Sequence, residues 1–269
     1  MKVLVQQHPA YIYTGTKSID PAKSSIVMVH GAQHDHSVWI LQSRYLAHHG
    51  FNVIAVDLPG HGKSAGSALP SVETIAHWLL DLISTLGINQ THWIGHSMGS
   101  LAALHAASLA PEKTLSLVLI GTAFPMRVSD LLLNAAKDDE AQAFDMINFW
   151  SHSRLAHQPG SPGPGFSVFN QNRRLMERQS PGVLLNDFSA CNAYEGGLEA
   201  AKSIAASTLF VLGEQDAMTP PKAATALFSA IQGAKKEIIP QCGHSLMAER
   251  PDKVLTALKN HFNLLKSTQ

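Results

Sequence analysis

Cysteine is scarce in this chain, and no two cysteines stand close together. Cys191 and Cys242 are the only two in 269 residues, and neither belongs to a CxxC pair. That spacing excludes a zinc ribbon and a disulfide framework and fits a reducing compartment, so the expected location is the cytoplasm. Charge is also sparse, with 15% charged residues and twenty Lys+Arg balancing twenty Asp+Glu. A chain of zero formal net charge has no long-range field to gather nucleic acid or anionic lipid, and neither is expected as a partner. No apolar run approaches the ~18 residues of a spanning helix, and the apolar stretch after Met1 is too short for a signal peptide.

Apolar residues make up 45% of the chain, enough for a substantial core and too many for a disordered protein. Short apolar runs at 26–29, 53–56, 92–94, 115–120 and 209–212 read as buried strands, rich in Val, Ile and Leu. Helical patterns lie between them at 72–86, 101–109 and 223–231, and 252–264 closes the chain. Ser71 with Glu73 and Thr74, and Pro251-Asp252, look like helix starts. This alternation predicts an α/β fold with a mostly parallel sheet flanked by helices. Segments 3–5 and 10–13 could add a leading hairpin at its edge. The alternation stops between Phe124 and Ser203, where only helix-like pieces surround the Pro/Gly stretch at 158–165. We therefore expect a core of 1–123 and 204–269, with 124–203 inserted as a helical cap.

Gly95-His96-Ser97-Met98-Gly99 fits G-x-S-x-G, between a strand pattern at 91–94 and a helix pattern from Ser100. A serine on such a turn projects its hydroxyl above the sheet, beside a helix N-terminus that favours developing negative charge. Serine is a weak nucleophile and needs a base, which in turn needs an orienting carboxylate. Two later strand ends supply both. Leu209–Leu212 runs into Gly213-Glu214-Gln215-Asp216, where Asp216 is the chosen acid and Glu214 the reserve. Ile238-Ile239 leads to Gly243-His244, and His244 is the expected base. The oxyanion hole needs backbone N–H groups. Met98 supplies one; the turn at His30-Gly31 supplies the other through Ala32, with Gln33 less favoured.

Taken together, these motifs resemble the α/β-hydrolase superfamily. His30-Gly31 resembles its oxyanion loop, and Asp57-Leu58-Pro59-Gly60-His61-Gly62-Lys63-Ser64 its D-x-x-G-x-G-x-S turn. Gly95–Gly99, Gly213–Asp216 and Gly243-His244 follow in the family's order, from residue 26 to the last helix. The resemblance implies a Ser97–Asp216–His244 triad, a cap over it and no cofactor. Serine at the elbow, where relatives that cleave carbon–halogen bonds or epoxides carry Asp, excludes those chemistries. The carboxylate-free Ile120-Gly121-Thr122 leaves the alternative acid position empty.

Fifteen histidines invite a metal reading, and His34-Asp35-His36 is its best candidate, but no third partner is visible in the sequence. Loop packing beside the oxyanion turn explains it as well, and no metal is expected. Cys242 reads as a small buried residue. The expected activity is hydrolysis of carboxylic esters of small, mostly neutral and apolar molecules, by a monomer or homodimer. Lactones, thioesters or an activated carbon–carbon bond are the alternative substrates, and a ligand receptor with little turnover the alternative class.

Overall fold

The computed structural model describes residues 1–157 and 167–266, with side chains to residue 263. Eight strands form one sheet: β1 (Lys2–Val5), β2 (His8–Tyr13), β3 (Ser25–Val29), β4 (Asn52–Val56), β5 (Thr91–His96), β6 (Thr114–Ile120), β7 (Ser207–Gly213) and β8 (Lys235–Ile239). Their spatial order is β1-β2-β4-β3-β5-β6-β7-β8. β1 pairs antiparallel with β2, and β2 antiparallel with β4; every later pairing is parallel. The reversal of strand order at β3 is the switch point where open α/β sheets place their sites.

Burial explains the composition of each strand. β3, β4 and β5 are buried at every position, as parallel strands covered on both faces must be. β8 lies at an edge and opens with Lys235, Lys236 and Glu237, charges that discourage pairing with another chain. One face is covered by α2 (Val72–Thr85), α3 (Met98–Leu109), α8 (Gly197–Ser203) and α9 (Thr225–Ala230). The other carries α1 (Ile40–His48), α10 (Leu246–Glu249) and α11 (Pro251–Lys266). α2 starts where expected: the Ser71 hydroxyl accepts the Thr74 N–H at 3.2 Å, and the Thr74 hydroxyl accepts the Ser71 N–H at 3.2 Å. Losing such a cap typically costs about 1 kcal/mol.

Between β6 and β7 stand α4 (Asp130–Asp138), α5 (Glu140–Trp150), α6 (Val168–Glu177) and α7 (Val183–Ala193). They share an apolar cluster of their own around Leu132, Phe144, Ile147, Met176, Leu184 and Phe188. α8 lies within the stretch expected as the insertion, and its Ala200 and Ala201 are buried in the main core. The Pro/Gly stretch at 158–165, read as a surface or rim loop, lies outside the described residues. Among the described residues no helix is long and apolar enough to cross a membrane.

Candidate active site

β5 delivers Ser97 into a turn so tight that its neighbours must lack side chains. A Cβ on Gly95 would strike the backbone of Gly99 and Ser100, and one on Gly99 would strike the backbone of Val29 and His30. Those two glycines let β3, β5 and α3 meet backbone to backbone. Ser97 itself has φ +52° and ψ −122°, a conformation that costs a non-glycine residue of order 1–3 kcal/mol and that the surrounding packing must enforce. Its N–H donates to the Ile120 carbonyl at 3.0 Å.

The loops after β7 and β8 bring Asp216 and His244, the expected acid and base, together. His244 Nδ1 lies 2.7 Å from Asp216 Oδ2. Both residues are buried. The other carboxylate oxygen, Oδ1, accepts the N–H groups of Met218 at 2.9 Å and Thr219 at 2.7 Å, which fixes the carboxylate plane. Glu214 points elsewhere: its Oε2 accepts the Gln241 N–H at 2.9 Å. A carboxylate beside Nδ1 requires the proton on that nitrogen. Nε2 is left as the basic atom, and among the described residues it has no protein partner. Ser97 and His244 line one cavity of about 570 Å³.

Two residues that the motifs did not single out hold this pair. The Thr219 hydroxyl lies 2.8 Å from Asp216 Oδ2, 3.0 Å from His244 Nδ1 and 3.0 Å from the Gly121 carbonyl. The spacing Asp216-x-x-Thr219 is the available signal, because a carboxylate accepting the N–H three residues on makes a local turn. His96 Nε2 meets the His244 carbonyl at 2.9 Å, and the two rings lie 4.6 Å apart. Burial, then the neighbouring His244, holds the His96 imidazole well below its usual pKa. It is therefore a neutral donor to the backbone of His244.

The turn after β3 is fixed in a similar way. The Leu58 N–H donates to His30 Nε2 at 3.1 Å, so Nδ1 carries the proton and donates to the Gly31 carbonyl at 2.8 Å. Burial first, and then His61, lowers the pKa of His30 to about 4, which keeps that tautomer neutral. The Gln33 N–H donates to Asp187 Oδ2 at 2.9 Å, which removes it as an oxyanion donor. Ala32 faces the cavity beside Ser97. Met98, first residue of α3, offers a helix-start N–H with no intrahelical acceptor.

Asp35 and His36 do have a third partner in space, Asp57, with ligand atoms within 4.8 Å of one another. The oxygens are already engaged, however. Asp57 accepts the His36 N–H and its ring Nδ1, each at 2.7 Å, and the Lys63 N–H at 2.8 Å. Asp35 accepts Arg178 Nε at 2.9 Å, Gln179 Nε2 at 2.9 Å and the Ser37 N–H at 2.9 Å. Burial opposes the Asp35 charge, but Arg178 and these donors more than offset it and hold the carboxyl well below its usual pKa. The cluster is an ion-pair network that ties α6 to the β3 loop. Cys191 and Cys242 are buried, and burial pushes both thiols well above their usual pKa, away from reactivity.

Ser97 on its strained strand–helix turn thus shares a cavity with His244, whose Nδ1 is held by a carboxylate, at the rim of an α/β sheet. A profile of the alpha/beta hydrolase family matches residues 26–257, and the chain belongs to that family. The monoacylglycerol lipase abhd6-A of Xenopus laevis is 26% identical over 290 residues, covering 100% of this chain and 84% of that protein. Among solved structures, the enol-lactonase of Burkholderia xenovorans LB400 superposes with a TM-score of 0.86 at 20% identity, covering 98% of this chain and 100% of that one. An esterase of Exiguobacterium antarcticum gives 0.84 at 20% identity, covering 98% of each. At these identities the structural likeness speaks to the fold.

Proposed function

We propose that this hydrolase cleaves carboxylic esters through an acyl-enzyme on Ser97. The observation that carries the proposal is the arrangement around His244: Nδ1 is held by Asp216 at 2.7 Å, and the ring opens into the cavity that Ser97 also lines. Nε2 takes the Ser97 proton as Oγ attacks the carbonyl carbon, while Asp216 stabilises the imidazolium. The N–H groups of Ala32 and Met98 receive the oxyanion; each such donor is worth ~3 kcal/mol in the transition state. His244 then protonates the leaving alcohol, and a water activated by the same nitrogen releases the acid. Side chains and backbone donors perform every step. The relative named as a monoacylglycerol lipase supports an ester substrate.

Ser97→Ala tests the proposal. It should abolish both ester cleavage and covalent labelling by a serine-directed phosphonate, with an unchanged circular dichroism spectrum. Hydrolysis persisting at the wild-type rate in that variant would refute it.

A further inference from the structure

Two chambers meet at Ser97. The larger, about 570 Å³, is walled by Ile40, Leu41, Leu175 and the His244-Ser245 loop. The smaller, about 210 Å³, is walled by Met126, Val128, Leu132, Cys191 and the loop at 217–219. Ala32, Ser97, Phe188 and Met218 border both. A carbonyl held between Ser97 and Ala32 can therefore send one substituent each way. His244 lines the larger chamber and forms no part of the smaller one's wall.

Resting on the reading of Ser97 as nucleophile and His244 as its base, we infer that the larger chamber takes the alcohol half of an open-chain ester and the smaller one the acyl half. Proton accounting decides the direction. Formation of the Oγ–carbon bond moves the Ser97 proton to His244 Nε2. Collapse of the tetrahedral intermediate breaks the bond from the carbonyl carbon to the alkoxy oxygen, and the same proton passes to that oxygen. The leaving oxygen must then lie within about 3 Å of Nε2. It belongs on the side where the imidazole is accessible, which is the larger chamber. The acyl group stays bonded to Oγ and points the other way until water replaces the serine.

Volume and wall chemistry narrow each half. An apolar cavity of about 150 Å³ accommodates benzene, so the smaller chamber accommodates roughly eight non-hydrogen atoms. Met126, Val128 and Leu132 stand in its wall beside Arg127, Ser129 and Thr219, and its size suits a short alkyl or an aryl acyl group. The larger chamber is the more apolar of the two, with Ile40, Leu41, Ile147 and Met247 beside Gln171 and Arg174, which suits a bulkier, mostly apolar alcohol. A small lactone keeps its halves tethered and cannot divide itself between the two.

Substitutions confined to one chamber test the assignment in the full-length protein. Val128→Phe fills the smaller chamber and Leu132→Ala enlarges it; Ala248→Trp narrows the larger one from an exposed position. kcat/KM is measured on acetyl, butyryl, hexanoyl and octanoyl esters of one alcohol, then on acetates of methyl, cyclohexyl and naphthyl alcohols. Val128→Phe should lower hexanoyl relative to acetyl esters by roughly tenfold or more, and Leu132→Ala should shift the preference toward octanoyl, both without changing alcohol preference. Ala248→Trp should select against naphthyl acetate and leave the acyl profile unchanged. An acyl range controlled by Ala248→Trp and untouched by both smaller-chamber variants would overturn the assignment while esters still acylate Ser97. The absence of any Ser97 acyl adduct by intact mass, with no ester turned over, would instead overturn the nucleophile reading and this inference with it.

Discussion

Two buried histidines in this fold each face a buried aspartate at nearly the same distance. His244 Nδ1 lies 2.7 Å from Asp216, and His61 Nε2 lies 2.8 Å from Asp187. The difference is on the far side of each ring. His61 Nδ1 meets the Pro59 carbonyl at 3.0 Å, so both its nitrogens face oxygen acceptors and both must carry protons. Burial opposes that charge, but Asp187 more than offsets it and raises the pKa of His61. Asp187 also accepts the Gln33 N–H, which makes the pair a clamp between α7 and the loop after β3. The far nitrogen of His244 has no such acceptor among the described residues and faces the cavity of Ser97. An Asp–His contact therefore makes a base only where the second nitrogen is left free; with both occupied it makes an ion-pair strut.

Asparagine at either aspartate should separate these roles. Asp216→Asn preserves the carbonyl oxygen that accepts the Met218 and Thr219 N–H groups but favours the wrong imidazole tautomer. Turnover should fall by about 10⁴-fold, with melting shifted by only a few degrees. Asp187→Asn should do the reverse. It leaves His61 charged or unpaired in a buried site, a loss of about 3 kcal/mol. That is roughly a 10 °C lower melting temperature for a chain of this size, with far less than a 100-fold loss of kcat in the protein that remains folded. Calorimetry beside steady-state kinetics on both variants checks the contrast. Equal losses of rate from the two would break it.

pH moves the two kinds of buried histidine in opposite directions. The His61 pKa is raised in the folded state, so its stabilisation is complete below the unfolded value of about 6.5 and is lost as pH rises through the folded pKa. The stability gap between wild type and Asp187→Asn should shrink over that rise. His30 falls to about 4 through burial, so folded protein resists a proton that unfolded protein accepts. Its contribution is complete above about 6.5 and is lost as pH falls toward 4, a change of order 3 kcal/mol. Urea unfolding of wild type and the His30→Gln variant across pH 4–8 would reveal it. A wild-type curve no steeper than the variant's on the acid side would refute that account.

The sheet, and the strand ends after which Ser97, Asp216 and His244 stand, were legible because local rules specify them. Glycines at 95 and 99 demand a close backbone crossing, and continuous apolar runs demand strands covered on both faces. Ser97 and Asp216 each follow such a run within a few positions, and His244 follows the short Ile238-Ile239 end of the edge strand. The helical layer was legible only as helices. Its attachment depends on partners far apart in the chain: Asp187 finds His61, and Arg178 and Gln179 find Asp35 across more than 140 positions. No period or spacing records such a meeting. For the same reason nothing local in the sequence says that α8 packs its Ala200 and Ala201 into the main core. The third member of the Asp35–His36 cluster, Asp57, was likewise in plain view as a turn residue, with nothing local to join it to the other two.

The smallest expected effect concerns a polar relay from the helical layer to the turn after β3. Asn148 Nδ2 donates to the Phe169 carbonyl at 3.0 Å, which leaves Asn148 Oδ1 to accept Asn172 Nδ2 at 3.0 Å. Asn172 Oδ1 then faces His34 Nε2 at 2.9 Å, while His34 Nδ1 faces the Ala32 carbonyl at 2.6 Å. Burial lowers the His34 pKa, and a neutral ring has one proton for these two acceptors, so it holds the turn less firmly than the doubly bonded His61. Asn172→Ala should free that proton for Ala32 at a cost of about 1 kcal/mol in stability, the usual net worth of one hydrogen bond. Because the relay positions the turn without touching the reacting atoms, kcat/KM should change by less than about tenfold, through kcat rather than KM. A KM effect confined to bulky alcohols would show instead that Asn172 contacts the leaving group in the larger chamber. That outcome would move it from the clamp side of the comparison to the substrate side.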